Sequence, residues 1–478
     1  MQGHTVDVAI IGAGTAGLNA RREVVQAGGS ALLIESGPYG TTCARVGCMP
    51  SKLLIAAAAV AHQVAQADRF GIHVNTGWSV DGAAVMARVR RERDRFVSKV
   101  VSSTEAIPAD QRLRGRARFI GPTTLQVGAH NRVEARAVVI ATGSSPWLPP
   151  PFDAHPDWVI VNDDVFELTD LPASMAVIGT GIIGLELGQA LHYLGVKITF
   201  FNPFTELGPF SDPALQQTTR TLLEAELDLR LSTRIQAIQP TAAGTRLVWR
   251  TATGEQQAAI FETVLVAAGR RPNLTDLDLV NTGLSLDQAG MPPWNASTTQ
   301  CGAMPIFLAG DASNYRPLLH EASDEGQIAG FNAIHYPTLQ AQPRRTALSI
   351  AFTEPQMAIV GDRYADLPLS EIEVGEASYH NQGRARVIGQ NQGLIRLYAR
   401  QQGCTLVGAE LLGPQVEHLA HLIAWAIQQG LSVQRALQMP VYHPVLEEGL
   451  RTALRDLAVK LRVTGNCHQQ DFTEVPGG

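Results

Sequence analysis

Short apolar runs rich in β-branched residues alternate with segments of helical period through most of the chain. This is the pattern of strands buried on both faces and joined by helices. Val6–Ile11 is the first such run, followed by a helical stretch over Leu18–Gln26 and a second strand over Ala31–Ile34. Met175–Ile178, Leu185–Tyr193 and Ile198–Phe201 repeat the same order. Three further runs, Val138–Ala141, Val264–Ala267 and Ile306–Ala309, each end in a small-residue turn. Their interleaving predicts an α/β protein with two doubly wound, Rossmann-like dinucleotide-binding domains, one inserted into the other. Towards the C-terminus, Ala347–Phe352 and Leu394–Tyr398 read as strands and His418–Gln429 as a helix.

The turns between strand and helix carry the first chemistry. Gly12-Ala13-Gly14-Thr15-Ala16-Gly17 and Gly179-Thr180-Gly181-Ile182-Ile183-Gly184 share one glycine spacing in one structural context. The three glycines allow the tight turn, the approach of a pyrophosphate and the packing of helix on strand. Glu35, at the end of the second strand, can bind a ribose hydroxyl. The same offset from Gly179 lands on Asn202. A carboxylate there selects NAD and nearby arginines select NADP. Pro203, Phe204, Thr205 and Glu206 supply no base, and the next arginine is Arg220, so NAD is favoured.

Composition narrows the class. A chain of 478 residues predicts about three domains, and its balance of 45% hydrophobic to 17% charged residues suits an enzyme with large cores. The net charge of −6 gives no electrostatic case for nucleic acid or an anionic membrane. The longest apolar run, Leu53–Ala61, is too short to span a bilayer. Met1–Thr5 lacks a basic stretch followed by an apolar one, so a cytoplasmic location is expected. Arg88–Arg95 alternates with Glu92 and Asp94 and reads as a solvated helix. His418 and His421 read as a helix face; no metal is expected.

Five cysteines, at positions 43, 48, 301, 404 and 467, are too sparse for a secreted disulfide framework. Cys43 and Cys48 stand out in Cys43-Ala44-Arg45-Val46-Gly47-Cys48-Met49-Pro50-Ser51-Lys52, just after the first dinucleotide turn. Lys52 is one of only four lysines. On a regular helix, residues five apart differ by about 7.5 Å in rise and about 140° in direction. Disulfide Cα atoms lie about 4.4–6.8 Å apart, so the segment must be distorted for the two to pair, and Gly47 can help. A helix start also lowers a thiol pKa. A dithiol beside a nucleotide site points to electrons passing between a flavin and a disulfide. Oxidising a dithiol also needs a base, and His443, with Glu448 five residues on, is the candidate.

With these residues in view, the chain resembles the pyridine nucleotide–disulfide oxidoreductases over roughly residues 6–465, most closely their dihydrolipoamide-oxidising branch. The resemblance rests on both glycine turns, Cys43–Lys52, Ala141-Thr142-Gly143, Glu186, Gly269–Asn273, Gly310-Asp311, and His443-Pro444 with Glu448. It implies FAD held by Gly12, Gly14, Gly17, Glu35, Thr42, Lys52, Ala117, Thr142, Gly143, Gly310 and Asp311. It implies NAD held by Gly179, Gly181, Ile183, Gly184, Asn202 and Gly269. It also implies a Cys43–Cys48 redox disulfide in which Cys48 becomes the thiolate beside the flavin and Cys43 exchanges with substrate. Lys52 would pair with Glu186 near the reactive flavin nitrogen. His443 would be oriented by Glu448 and supplied by the partner subunit of a homodimer.

The implied domains are FAD-binding over 1–150 and 272–340, NAD-binding over 151–271, and an α+β dimerisation domain over 341–465, with a tail at 466–478. The implied partner is dihydrolipoamide on the lipoyl domains of a 2-oxoacid dehydrogenase or related complex. Alternatives are an NAD(P)H-dependent reductase of another disulfide, or a mainly structural subunit of a lipoyl complex. Some positions depart from the family pattern. Thr41 replaces a glycine, Arg45 an asparagine and Asn202 an acid, Val445 and Glu447 replace small hydroxyl residues, and His320-Glu321-Ala322 stands where a similar histidine stretch is usual. The departures near Cys43 and His443 bear on the choice of disulfide substrate.

Overall fold

Parallel strand order organises both nucleotide-type domains. The structure, a computed structural model, describes residues 2–74, 77–251 and 253–463. The expected tail and Cys467 lie outside the described residues. In the first domain, Gln2–Ile11 is central, flanked in parallel by Ala31–Glu35 and Asn131–Ile140. Arg112–Arg114 extends one edge. Along its other edge Asn131–Ile140 serves two more neighbours: its first half pairs antiparallel with Thr124–Val127 and its last residues pair parallel with Ile306–Leu308. The helix Thr15–Gln26 packs on Leu319–His335 with almost no gap. A Cβ at Gly326 or Gly330 would fall 2.3 Å from the backbone oxygens of Ala16 and Ala20.

The second domain is a five-stranded parallel sheet in the order Asp228–Arg230, Lys197–Phe201, Ser174–Ile178, Thr263–Val266, Ile160–Val161. An antiparallel sheet of Arg234–Thr241, Gly244–Arg250 and Gln256–Phe261 packs through Trp249 and Phe261 on Phe201. Ser144–Pro146 and Arg270–Pro272 pair where the chain passes between the two domains.

The third domain is an antiparallel sheet, Leu348–Ala351, Gln356–Gly361, Leu406–Gly413, Leu394–Arg400, Ile372–Ser378, with the helices Val416–Gln428 and Glu448–Val463 packed against it. Its strands alternate buried and exposed residues less strictly at the centre, where Leu397, Ala409 and Leu411 meet helix residues Leu419, Ile423 and Leu457. A fully buried carboxylate joins this domain to the second. Glu410 accepts hydrogen bonds from Ser211 Oγ (2.6 Å), Ser211 N (2.9 Å), Asp212 N (3.0 Å) and Tyr364 N (3.1 Å). Asp212 in turn accepts from Arg396 Nε and the Tyr398 hydroxyl. Such a carboxylate is tolerable because its acceptor sites are filled.

Two expectations change. The arginine run lies on the helix Gly82–Glu105, but it is not simply solvated: Arg90 donates to the Leu168 carbonyl, and Arg93, only 11% exposed, pairs with Glu167. These arginines tie the first domain to the second. The apolar stretch around Leu53–Ala61 also extends further than its sequence suggests. Taken together, Thr42–Ala65 has the length and hydropathy of a membrane-crossing helix. It is broken at Gly47, however, and its buried positions, Pro50, Ser51, Leu54, Ala58 and Ala61, follow the three- and four-residue spacing of a helix packed on a protein core.

Candidate active site

The two thiols are brought together by a break between helices. Thr42–Val46 is a single turn, capped by the Thr41 hydroxyl, which accepts from Ala44 N. Gly47 then departs from helical geometry, at φ −126° and ψ −118°, and a new helix runs over Cys48–Ala65. Gly47 lies against the first turn: a Cβ there would sit 3.1 Å from the Thr42 oxygen and 3.2 Å from the Cys43 Cα. The distortion required by the spacing is therefore a kink that folds one turn back on the next. Thr41 holds a positive φ of 55°, a conformation that β-branched residues rarely adopt.

Cys43 and Cys48 are both free thiols here, so the structure holds the dithiol state. They are hydrogen-bonded to each other and titrate as a pair. The hydrogen bond from Cys43 is the main influence that brings Cys48 down to about 7, assisted by the Lys52 charge and opposed by burial. Cys43 moves the other way, far up, because it donates to Cys48 and is desolvated. One thiol is thus poised as a thiolate while the other keeps its proton. Cys48 is also the first residue of its helix, where free N–H groups favour negative charge.

Lys52 lies one turn further along. Its ammonium is held by both oxygens of Glu186, at 2.8 and 3.0 Å. Glu186 is 5% exposed, and its Oε1 also accepts from Phe352 N at 2.8 Å. The Phe352 ring lies 4.6 Å from the ammonium. Phe352 was not predicted. Its part is played by a backbone N–H and a ring face, and only the ring is visible in sequence.

His443 and Glu448 pair as expected. His443 Nδ1 lies 2.8 Å from Glu448 Oε1, and Glu448 Oε2 accepts from Val445 N. The hydrogen bond to His443, assisted by that from Val445 N, holds the Glu448 carboxyl below its ordinary pKa. Glu448 fixes the ring and leaves Nε2 outward, and the histidine side chain is 80% exposed. The groups that set thiol ionisation are Cys43, Cys48, Lys52 and Glu186, not this pair. Among the described residues no hydrogen bond or ion pair joins the acid–base pair to the dithiol.

The glycine turns are shaped to hold a dinucleotide. The helices Thr15–Gln26 and Ile182–Tyr193 begin at Gly14 and Gly181 with no side-chain cap, and both glycines face open space. Their free N–H groups suit a pyrophosphate. Gly17 and Gly184 approach the turn so closely that a Cβ would lie 1.9 and 2.2 Å from the Gly12 and Gly179 oxygens. Beside the first turn, Thr142 Oγ1 is buried without a partner, an atom awaiting a ligand. Glu35 accepts from Ala13 N and Gly37 N and keeps capacity for a hydroxyl. These features fit FAD on the first turn.

The other residues implied for the first nucleotide fall in several places. Gly143 stands open at φ 70°, Gly310 N donates to Glu325, and Asp311 accepts from Ser144 Oγ. Thr42 is exposed beside Cys43, whereas the Ala117 side chain is buried in the domain core. Around the second turn, Ile183 is half-buried and Gly269 faces open space. Asn202 differs from expectation. It is buried, and its amide donates inward to Thr180 Oγ1 (2.6 Å) and the Glu206 carbonyl (2.9 Å), which leaves no N–H for a ribose. His320 is exposed, while Glu321 beside it is buried against Arg316 and Arg344. His418 and His421 are exposed on their helix, and His421 Nδ1 bonds the Glu417 carbonyl.

An acidic thiol held by a second thiol, next to two uncapped dinucleotide turns, is the equipment of a nucleotide-dependent dithiol oxidoreductase. Comparison with known proteins agrees and is more specific. Residues 6–326 match the pyridine nucleotide-disulphide oxidoreductase model and residues 348–454 match the dimerisation domain of the same family. The chain belongs to the pyridine nucleotide-disulphide oxidoreductases.

Among curated relatives it is similar to dihydrolipoyl dehydrogenase of Bacillus subtilis, at 29% identity over 94% of this chain and 97% of the relative. It is also similar to that of Chlamydia trachomatis, at 30% over 92% and 94%, and to mercuric reductase of Staphylococcus aureus, at 28% over 94% and 81%. Solved structures with the same fold include LpdA of Mycobacterium tuberculosis and the HOCl-induced flavoprotein disulfide reductase RclA of Escherichia coli. Each superposes with a TM-score of 0.80 at 21% identity, over 95% of this chain and 99% of the other.

Proposed function

We propose that this protein oxidises dihydrolipoamide with NAD+ as acceptor, working as a homodimer on lipoyl domains of a 2-oxoacid dehydrogenase or related complex. The observation that carries the reading is the kink at Gly47 that folds the Cys43 turn back on the Cys48 helix, one turn before the Lys52–Glu186 ion pair, an arrangement that biases Cys48 down and Cys43 up from their ordinary pKa. Bound on the first turn, FAD would relay two electrons between the dithiol and a nicotinamide. The chain's own residues do the rest. With Cys43 and Cys48 oxidised, a substrate thiolate attacks the Cys43 sulfur, forms a mixed disulfide and releases Cys48 as a thiolate. The second substrate thiol then attacks the substrate sulfur, closing the product disulfide and releasing Cys43. His443 takes the proton from the attacking thiol, and Glu448 stabilises the ring that carries it. Cys43, with its raised pKa, leaves protonated, and Lys52 and Glu186 steady the charge around Cys48.

The exposed apolar side chains of Leu422, Trp425, Met439 and Tyr442 support the homodimer, since they border a cavity of about 640 Å³ next to His443. A covering subunit would bring its own dithiol towards that histidine. A second reading has one observation behind it. Arg45 and Glu447, both departures from the family pattern, flank the two halves of the chemistry and suit reduction of another, charged disulfide. The test is anaerobic mixing of the flavin-loaded protein with dihydrolipoamide, followed by NAD+. The reading predicts rapid loss of the oxidised visible spectrum, recovery on NAD+, and no reaction in Cys48→Ser. Reduction by NADH but not by dihydrolipoamide would sink the substrate assignment.

A further inference from the structure

The two dinucleotide turns allow a comparison inside one chain. In the first, Glu35 Oε2 accepts from the N–H of Ala13, the residue after the first glycine. In the second, that residue is Thr180, and Asn202 donates to its hydroxyl. The Thr180 hydroxyl in turn donates a hydrogen bond to the Glu206 carbonyl at 3.1 Å. The change from acid to amide thus follows from the hydroxyl at 180: Asn202 is a strut binding the loop 202–206 to the turn. It removes a negative charge from the place where a ribose 2′ position is read.

A positive charge is tied to the same loop. Arg220, on the helix Pro213–Glu224, reaches back to this loop and donates Nη2 to the Thr205 carbonyl at 2.6 Å. Among the described residues no carboxylate lies within ion-pair distance of it, whereas the neighbouring Arg230 is taken by Asp228 at 2.9 Å. The one acid on the loop, Glu206, turns a carboxylate oxygen to Thr205 N. A guanidinium has five N–H donors in a fork that matches phosphate oxygens. Arg220 is half-exposed, with most of that fork unspent. In sequence Arg220 lies too far from Asn202 to read as its neighbour; the fold closes the distance.

We propose that Arg220 admits a 2′-phosphate to the second nucleotide site, so that the protein takes NADP(H) as well as NAD(H). The proposal rests on the reading of the second domain as the nicotinamide-coenzyme site and is independent of the disulfide substrate. Both changes act in one direction, since a repelling charge is gone at 202 and an attracting one is present at 220.

The test is calorimetric titration of the flavin-loaded protein, at low salt, with 5′-AMP and with adenosine 2′,5′-bisphosphate. The bisphosphate should bind about five- to tenfold more tightly. Arg220→Gln should erase that preference and leave 5′-AMP binding unchanged, which also reports that the site is folded. Arg220→Lys, keeping the charge without the fork, should retain part of it. Equal or tighter binding of 5′-AMP to the native protein would overturn the proposal, as would a preference that survives Arg220→Gln. Failure of both probes to bind would instead overturn the assignment of a coenzyme to this domain.

Discussion

At Cys48 several influences converge on one sulfur atom: a hydrogen bond from Cys43, the charge of Lys52 one turn away, and the free N–H groups of the helix it begins. Because they favour the charged form, the thiolate is populated above about pH 7 and is lost as pH falls through that value. In the reduced protein, alkylation of Cys48 by iodoacetamide should therefore rise with pH to a midpoint near 7. The midpoint, followed by mass spectrometry, should move upward in Lys52→Met. An unchanged midpoint would mean that Lys52 does not act on the thiol. The pairings of Lys52 with Glu186 and of His443 with Glu448, and the kink that Cys43 and Cys48 require, were legible in sequence because they depend on side-chain type at fixed spacing. Phe352 was not, since an N–H donor is common to nearly every residue. Asn202 was read as facing a ribose because the hydroxyl that turns it inward lies in a different element.

At the scale of elements, the site depends on how helices start and stop. The kink at Gly47 lies so close to the preceding turn that a Cβ there would crowd the Thr42 oxygen and the Cys43 Cα. Gly47→Ala should cost about 1–3 kcal/mol. It should also separate Cys43 from Cys48, so that the Cys48 alkylation midpoint rises while the uncapped turns at Gly14 and Gly181 still bind nucleotide. A substitution that left both stability and midpoint alone would remove Gly47 from this account. The strands and helices of the two nucleotide domains were legible because apolar runs, glycine turns and helical periods coincide there. The observed helix starts, at Thr15 and Ile182, come earlier than the periodicity suggested, because helical backbone begins directly after the turn glycines, before the first apolar repeat. The close crossing of Thr15–Gln26 and Leu319–His335 through Gly326 and Gly330 went unread, since small residues in a helix give no apolar signal.

At the scale of the whole molecule, each chain carries a dithiol and an exposed acid–base pair, and among the described residues no hydrogen bond or ion pair joins the two. If the proposed homodimer completes each site from two chains, Cys48→Ser and His443→Gln proteins will each be inactive alone. Random reassembly of equal amounts should restore about one quarter of native activity, because half the dimers are mixed and each mixed dimer has one whole site. No recovery, with mixed dimers verified by mass, would place the base elsewhere. The insertion of one nucleotide domain in the other was readable from the order of turns, but the carboxylate seam at Glu410 was not, because its four donors come from residues some 50 to 200 positions away. One further carboxylate spans the entire assembly. Glu186 belongs to the second domain, its ammonium partner to the first, and the N–H it holds at Phe352 to the start of the third. That single amide is therefore a built-in gauge of how the three bodies are seated. Its deuterium uptake should be slow when all are docked and quicken whenever any one of them rocks away, so coenzyme arrival at one end of the molecule can be timed at its centre.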